Sequence, residues 1–340
     1  MRLLFKLDYT PRGLIVALIV LMLVEAWLHT DDFLYRYRSV FAVGRAMDKV
    51  KYLEETTPHL ILAGNSRVDN GFDPIRVGAT LGLKRTEAFN LGLPGANARH
   101  LEVIFKRLDQ AGKLGQGRIE KVVLGLDEAI LQADESLGYG VFFSDQQERL
   151  SAKDLPGALT STFRLWGYAG NLKELREPEK ASRFALATLR PVEPVGGAAR
   201  EFQGYRAGFG TGQFQNALQV ANQEENAMVP PDTNVLQALW RLLNLLEKRG
   251  VGVAIVLPPL LQRDVLFLND TLTSAQPYRQ VAREITQRGI PVIALDAGAP
   301  RNPLEFINAG HLNDQGAQRY SAVLGKKLAA LWNPVDGDQP

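Results

Sequence analysis

Leu60-Ile61-Leu62-Ala63-Gly64-Asn65-Ser66-Arg67-Val68-Asp69-Asn70-Gly71-Phe72-Asp73-Pro74 is the stretch from which the fold is read. The apolar run Leu60–Ala63 is cut off by Gly64-Asn65, which marks a short buried strand ending in a turn. Gly64 allows a sharp bend where the strand stops. Ser66 then stands at the carboxyl end of the first strand of an α/β pattern, the edge on which open parallel sheets place their ligands. Two readings of Ser66 are open here. It is a nucleophile, or it is the N-cap of the next helix, a place serine often fills. A nucleophile needs a base, a group to orient that base, and donors for an oxyanion.

Outward from this stretch the pattern repeats. Short apolar runs at 59–63, 87–91, 121–126, 251–257 and 290–295 read as strands. Helical periodicity or cap residues predict helices at 74–80, 98–111, 233–249, 275–288 and 314–332. Alternating strands and helices predict a parallel sheet with right-handed crossovers. The expected architecture is a flavodoxin-like three-layer α/β sandwich with five strands in the order 2-1-3-4-5. Residues 131–232 break the rhythm and read as an insertion carried on the sheet rather than a separate domain. Within it, the glycine-rich stretch 202–214 reads as a long irregular loop, and loops of that length are usually functional or mobile.

The amino terminus carries Arg2, Lys6 and Arg12 against Asp8, and residues 13–24 are uninterrupted apolar. No small-x-small cleavage site follows, so the segment reads as an uncleaved anchor rather than a cleaved signal peptide. The expected division is a cytoplasmic tip and one transmembrane helix at 1–29, a juxtamembrane connector at 30–57, and an α/β domain at 58–335. The positive charge before the span predicts a single-pass protein of the cytoplasmic membrane. Its amino terminus is expected in the cytoplasm and its folded body in a periplasm or outside the cell.

Composition narrows the chemistry. The chain has 340 residues, 46% of them hydrophobic, with a net charge of +2 and no cysteine. The charge gives no bulk argument for nucleic acid. Disulfides, thiolate metal sites and a cysteine nucleophile are excluded. With only His29, His59, His100 and His311, a histidine-rich metal site is not expected, and no cofactor is implied. The glycine patterns match neither a dinucleotide fingerprint nor a phosphate loop.

The strand ends supply the rest. The second strand leads into Gly92-Leu93-Pro94-Gly95-Ala96-Asn97, the third ends at Asp127, and His311 lies in a Gly/Asn loop before the last helix. In this topology all open on one sheet edge. His311 is thus the candidate base for Ser66, a pairing that activates a hydroxyl at neutral pH. The backbone N–H groups of Ser66 and Gly92 are the candidate oxyanion donors.

Gly64-Asn65-Ser66-Arg67, Asn90-Leu91-Gly92-Leu93-Pro94-Gly95 and Asn308-Ala309-Gly310-His311 resemble the first, glycine and histidine blocks of the SGNH (GDSL-like) hydrolases. Among these the chain is most similar to membrane-anchored members that modify cell-surface polysaccharides, such as alginate O-acetyltransferases and the D-alanyl transfer protein of teichoic acids. The resemblance implies Ser66 as nucleophile, His311 as base and Gly92 as oxyanion donor. It also implies an acyl-serine route on a polysaccharide or acylated carrier, with a membrane-bound O-acyltransferase as partner. Two positions depart from the pattern. Asp127 stands where the third block has an oxyanion-donating Asn; a carboxylate cannot donate, so either Asp127 is expected to pair with Arg67, or Asn97 is expected to supply the missing donor. Asn308 stands where the triad aspartate is expected; Asn can orient a histidine but stabilises its imidazolium less. Asp296 and Asp314 are substitutes for that acid, although Asp314 also reads as the cap of the last helix. These departures motivate the alternative of a degenerate binding or assembly component.

Overall fold

The computed structural model describes residues 12–37, 40, 42–133, 139–169, 171–190, 201–210, 229–261, 264–270, 272–295 and 301–332. In chain order it opens with helices α1 (Arg12–Leu28), α2 (Asp31–Arg36) and α3 (Ala42–Glu55). There follow β1 (Leu60–Gly64), α4 (Ser66–Asp69), α5 (Pro74–Thr80), β2 (Ala88–Gly92), α6 (Ala98–Gln110) and β3 (Lys121–Gly125). A run of short helices comes next: α7 (Tyr139–Phe142), α8 (Gln146–Ser151), α9 (Leu155–Thr162), α10 (Arg164–Ala169) and α11 (Pro178–Leu189). The chain closes with α12 (Thr233–Lys248), β4 (Gly252–Leu257), α13 (Gln276–Gln287), β5 (Val292–Ala294), β6 (Phe306–Asn308), β7 (His311–Leu312) and α14 (Asp314–Trp332).

The main sheet has five strands, all parallel, in the order β2-β1-β3-β4-β5, as the alternation of runs and helices predicts. Leu60 and Leu62 turn to one face, where they join Val123, Ala254 and Val256 under Tyr320, Leu324 and Leu328 of α14. The pleat sends Ile61 and Val122, both fully buried, to the opposite face. Helices accordingly cover both faces, with α5 packed on α14 and α6 on α12. The continuous apolar runs that first marked these strands follow from this double coverage.

Two compact units divide the chain, Met1–Met47 with Gly140–Glu193, and Asp48–Tyr139 with Pro194–Pro340. This corrects the expectation of one insertion carried on the sheet: the helical part of 131–232 groups with the amino-terminal helices, while 201–210 belongs with the α/β unit. The helical unit has its own core. Phe33 meets Trp27 and Tyr168 edge-on at 4.9 and 4.7 Å, and Tyr37 stacks on Phe184 at 4.3 Å. Arg36 donates to the carbonyls of Ala187 and Arg190 at the end of α11. The connector expected at 30–57 is largely helical, formed by α2 and α3.

The expected membrane-spanning helix is also corrected. The helix α1 has 17 residues, and among the described residues no helix is long and apolar enough to cross a membrane. At 1.5 Å per residue it reaches roughly 25 Å against a hydrocarbon core of roughly 30 Å. Arg2, Lys6 and Asp8, as well as Asp296, lie outside the described residues.

Candidate active site

The site is built on α4, a single turn at the carboxyl edge of the sheet. Three glycines end the first three strands, and each makes room for that turn. A methyl group on Gly64 or Gly125 would collide with Cγ2 of Val68, and one on Gly92 with the backbone of Asp69. Gly64 is therefore required for close approach rather than for an unusual bend, since its φ is not among the positive ones. Val68 sits between the glycines of β1 and β3, and α4 is pressed onto the sheet edge.

Polar side chains then pin the turn. Asn65, not Ser66, is the N-cap: its Oδ1 accepts from the Arg67 N–H at 3.0 Å. Ser66 is therefore not the cap of this turn, and its hydroxyl takes no part in capping. Buried Asn90 in β2 donates through Nδ2 to the carbonyls of Val68 and Phe72, both at 2.7 Å. Buried Lys49 donates to Asp69 Oδ1 at 2.7 Å and to the Gly92 carbonyl at 2.6 Å, tying the end of α4 to the end of β2. Asn70 donates to the Leu312 carbonyl at 3.0 Å, which joins the turn to β7.

His311 lies on that small antiparallel pair, where Asn308 of β6 is opposite His311 of β7. The expected loop is thus a hairpin, and its pairing sets the triad geometry. Ser66 Oγ is 2.8 Å from His311 Nε2, and His311 Nδ1 is 2.9 Å from Asn308 Oδ1. The Gly310 N–H also donates to Asn308 Oδ1, at 3.0 Å, so this atom acts as an acceptor. The Nδ1 of His311 therefore carries the proton, and Nε2 is left to accept from the serine hydroxyl. Burial, reinforced by the nearby Arg67 and Arg206 guanidinium groups and opposed by Asp69, lowers the His311 pKa to about 4. The imidazole is neutral at pH 7, the state a base requires.

The expected oxyanion donors fare unequally. Among the described residues the Ser66 N–H, at the open end of α4, has no hydrogen-bond acceptor. The Gly92 N–H donates to Asn90 Oδ1 at 2.7 Å, so it is already engaged. Asn97 does not reach the site as a donor: its Oδ1 caps α6 at Arg99 and His100, and its Nδ2 donates to the Gln132 carbonyl at 3.0 Å. Asn is a frequent cap, and the sequence alone does not separate that use from an oxyanion donor.

Asp127 is buried and accepts from Asn65 Nδ2 at 2.8 and 2.9 Å and from the Ile130 N–H at 3.0 Å. It holds the cap residue in place, one step removed from Ser66. Arg67 Nη1 approaches Asp127 at 3.6 Å and Glu128 at 3.2 Å, as expected for an Asp127 partner. Its guanidinium packs on Gly310. Asp314 is neither triad acid nor cap. Its carboxylate accepts from Tyr205 Oη and the Gly208 N–H, both at 2.9 Å, while Asn313 caps α14 by accepting from the Gly316 N–H.

Asn90, Lys49 and Arg206 had no assigned role in the sequence. Only Asn90 carried a signal, a polar residue inside an apolar strand. Arg206 comes to the site because 201–210 is fastened there, with the Asn90 N–H donating to the Gln203 carbonyl and the Arg206 N–H to the Asp69 carbonyl. Among the described residues no cluster of three or more His, Asp or Glu side chains could hold a metal ion. No protein-family model matches the sequence, and no curated protein matches it at a significant level.

Proposed function

We propose that the chain is a serine O-acyltransferase or acyl esterase of the SGNH type, acting on a cell-surface or secreted polysaccharide through an acyl-Ser66 intermediate. The reading rests on one observation above all, the hydrogen-bonded line Ser66–His311–Asn308 at 2.8 and 2.9 Å. His311 takes the hydroxyl proton as Ser66 attacks the acyl carbonyl, and returns it to the leaving oxygen. The Ser66 N–H is the donor offered to the developing oxyanion. Water then completes hydrolysis, or a sugar hydroxyl completes transfer. The resemblance to membrane-anchored polysaccharide acyltransferases supports transfer, with a membrane-bound O-acyltransferase as partner and attachment through α1 on the outer side of the cytoplasmic membrane. These last points rest on analogy.

A fluorophosphonate ester and an acetyl ester give the test. Covalent labelling of Ser66 and ester turnover that is lost in Ser66→Ala support the reading. An unlabelled wild-type chain with unchanged turnover in the variant sinks it.

A second reading is favoured by the engaged Gly92 N–H and by the carboxylate at Asp127. On that reading the site binds an acyl or glycan group without turning it over. Glycan binding that survives Ser66→Ala, with no phosphonate labelling of the wild type, would establish it.

A further inference from the structure

The helical unit leaves unusual side chains in the open. Residues Leu14 to Leu23 of α1 are exposed at consecutive positions, so they point to every side of the helix. A second apolar row runs along α9 and into α10. Leu155 and Leu159 lie one turn apart on α9, and Phe163 and Trp166 follow at the break after it and in α10. They are 59, 57, 55 and 76% exposed. Across the 15 residues from Leu155 to Ala169 the single ionisable group that would be charged at neutral pH is Arg164. It is committed, donating to the Leu28 carbonyl at 2.8 Å and lying over the Phe142 ring.

A cleft of about 490 Å³ opens between the two rows, lined by Leu21 and Met22 from α1 and by Phe163, Trp166 and Ala169. Among the described residues Glu25 is the only charged one on its wall. That carboxylate is consumed within the chain: it accepts from the backbone N–H groups of Arg164 and Leu165 at 2.7 and 3.0 Å and bonds His29 Nε2 at 3.0 Å. The cleft therefore offers a polar ligand little to hold. Its chemistry suits a hydrocarbon chain, and its volume lies in the range of small-ligand sites.

Resting on the proposed attachment through α1, we infer that α9 and α10 form a further membrane-seated element, lying in the lipid interface beside α1, with the cleft between them occupied by part of a lipid acyl chain. Lipid is the occupant to which the observations commit. A single protein partner covers one side of a helix, whereas α1 is apolar all round and needs an apolar surrounding on every side.

The absence of cysteine allows single probes. The full chain is prepared as I19C, F163C, W166C and K248C, each labelled with an environment-sensitive NBD group. It is reconstituted at less than one chain per vesicle into phosphatidylethanolamine/phosphatidylglycerol vesicles. Lipids carrying nitroxides on their acyl chains should quench the probes at 163 and 166 several-fold more than the probe at 248, and about as strongly as the probe at 19. Quenching at 163 and 166 no greater than at 248, with 19 strongly quenched, overturns the inference and leaves the row to a protein partner. Equal, weak quenching at all four sites overturns the lipid seat of α1 as well. Circular dichroism of each labelled variant must match the wild type for its probe to count.

Discussion

The turn that carries Ser66 and the row on α9–α10 break the usual placement of side chains in opposite directions. At the sheet edge, Lys49, Asp69, Asn90 and Asp127 are buried. In the helical unit, Leu159, Phe163 and Trp166 stand exposed. Buried polar groups are costly unless bonded, and here each has bonded partners, so the burial specifies one position for the turn. Exposed apolar groups in such number mark a surface that meets something other than water. The pair of regions separates residues that fix a geometry from residues that wait for a surrounding.

The largest effect that sharpens this contrast comes from the hydroxyl itself. The Ser66→Ala variant should lower ester turnover at least about 10³-fold, with the thermal midpoint nearly unchanged, because the Ser66 side chain pins nothing. A loss of stability of several kcal/mol would instead make Ser66 part of the scaffold. Next comes Lys49→Met. Removing one partner of a buried pair leaves Asp69 uncompensated and should destabilise the α/β unit by about 3–5 kcal/mol in denaturant titration. A change within error would remove the ammonium from the list of groups that hold α4.

The third effect depends on pH. The folded-state pKa of His311, about 4, lies below its ordinary 6.5, chiefly through burial. The unfolded chain therefore binds the proton first as pH falls. Stability is unaffected above pH 6.5 and is lost as pH drops from 6.5 to 4, by about 3 kcal/mol. The difference in stability between wild type and His311→Gln should shift by that amount in favour of the variant between pH 7 and pH 4. The acid limb of kcat/KM should fall near pH 4, and Arg67→Met should move it upward. A limb that stays fixed in this variant means the guanidinium does not act on the base. The smallest effect is the mirror of the second. Leu159→Ser should change the unfolding free energy of the chain in detergent-free buffer by less than about 0.5 kcal/mol. A larger loss would place Leu159 in a core.

The sheet was legible because its strands are short, mostly apolar runs, the first three ending at glycine, and because Pro74 announces α5 and helical period announces α6 and α12. The Ser66–His311 pairing was legible for the same reason: topology alone brings the strand ends to one edge. The hairpin of β6 and β7 was not, since strands of three and two residues are too short to show a period. The helical unit was hidden because it joins segments about 100 positions apart, with no repeat between them. Asn97 misled because capping and oxyanion donation call on the same amide. The membrane span was overread: the apolar run is real, yet among the described residues its helix has 17 residues, short of a span.

Val68 gives the site a mechanical tolerance. Its methyl group fits between Gly64 and Gly125 as a wedge fits a slot, so the height of Ser66 above the sheet is a thickness set by one side chain. Thickening the slot with Gly125→Ala should lift the turn and open the gap to His311. Thinning the wedge with Val68→Ala in the same chain should let it settle back. A nucleophile mounted this way keeps its reach through the fit of two surfaces.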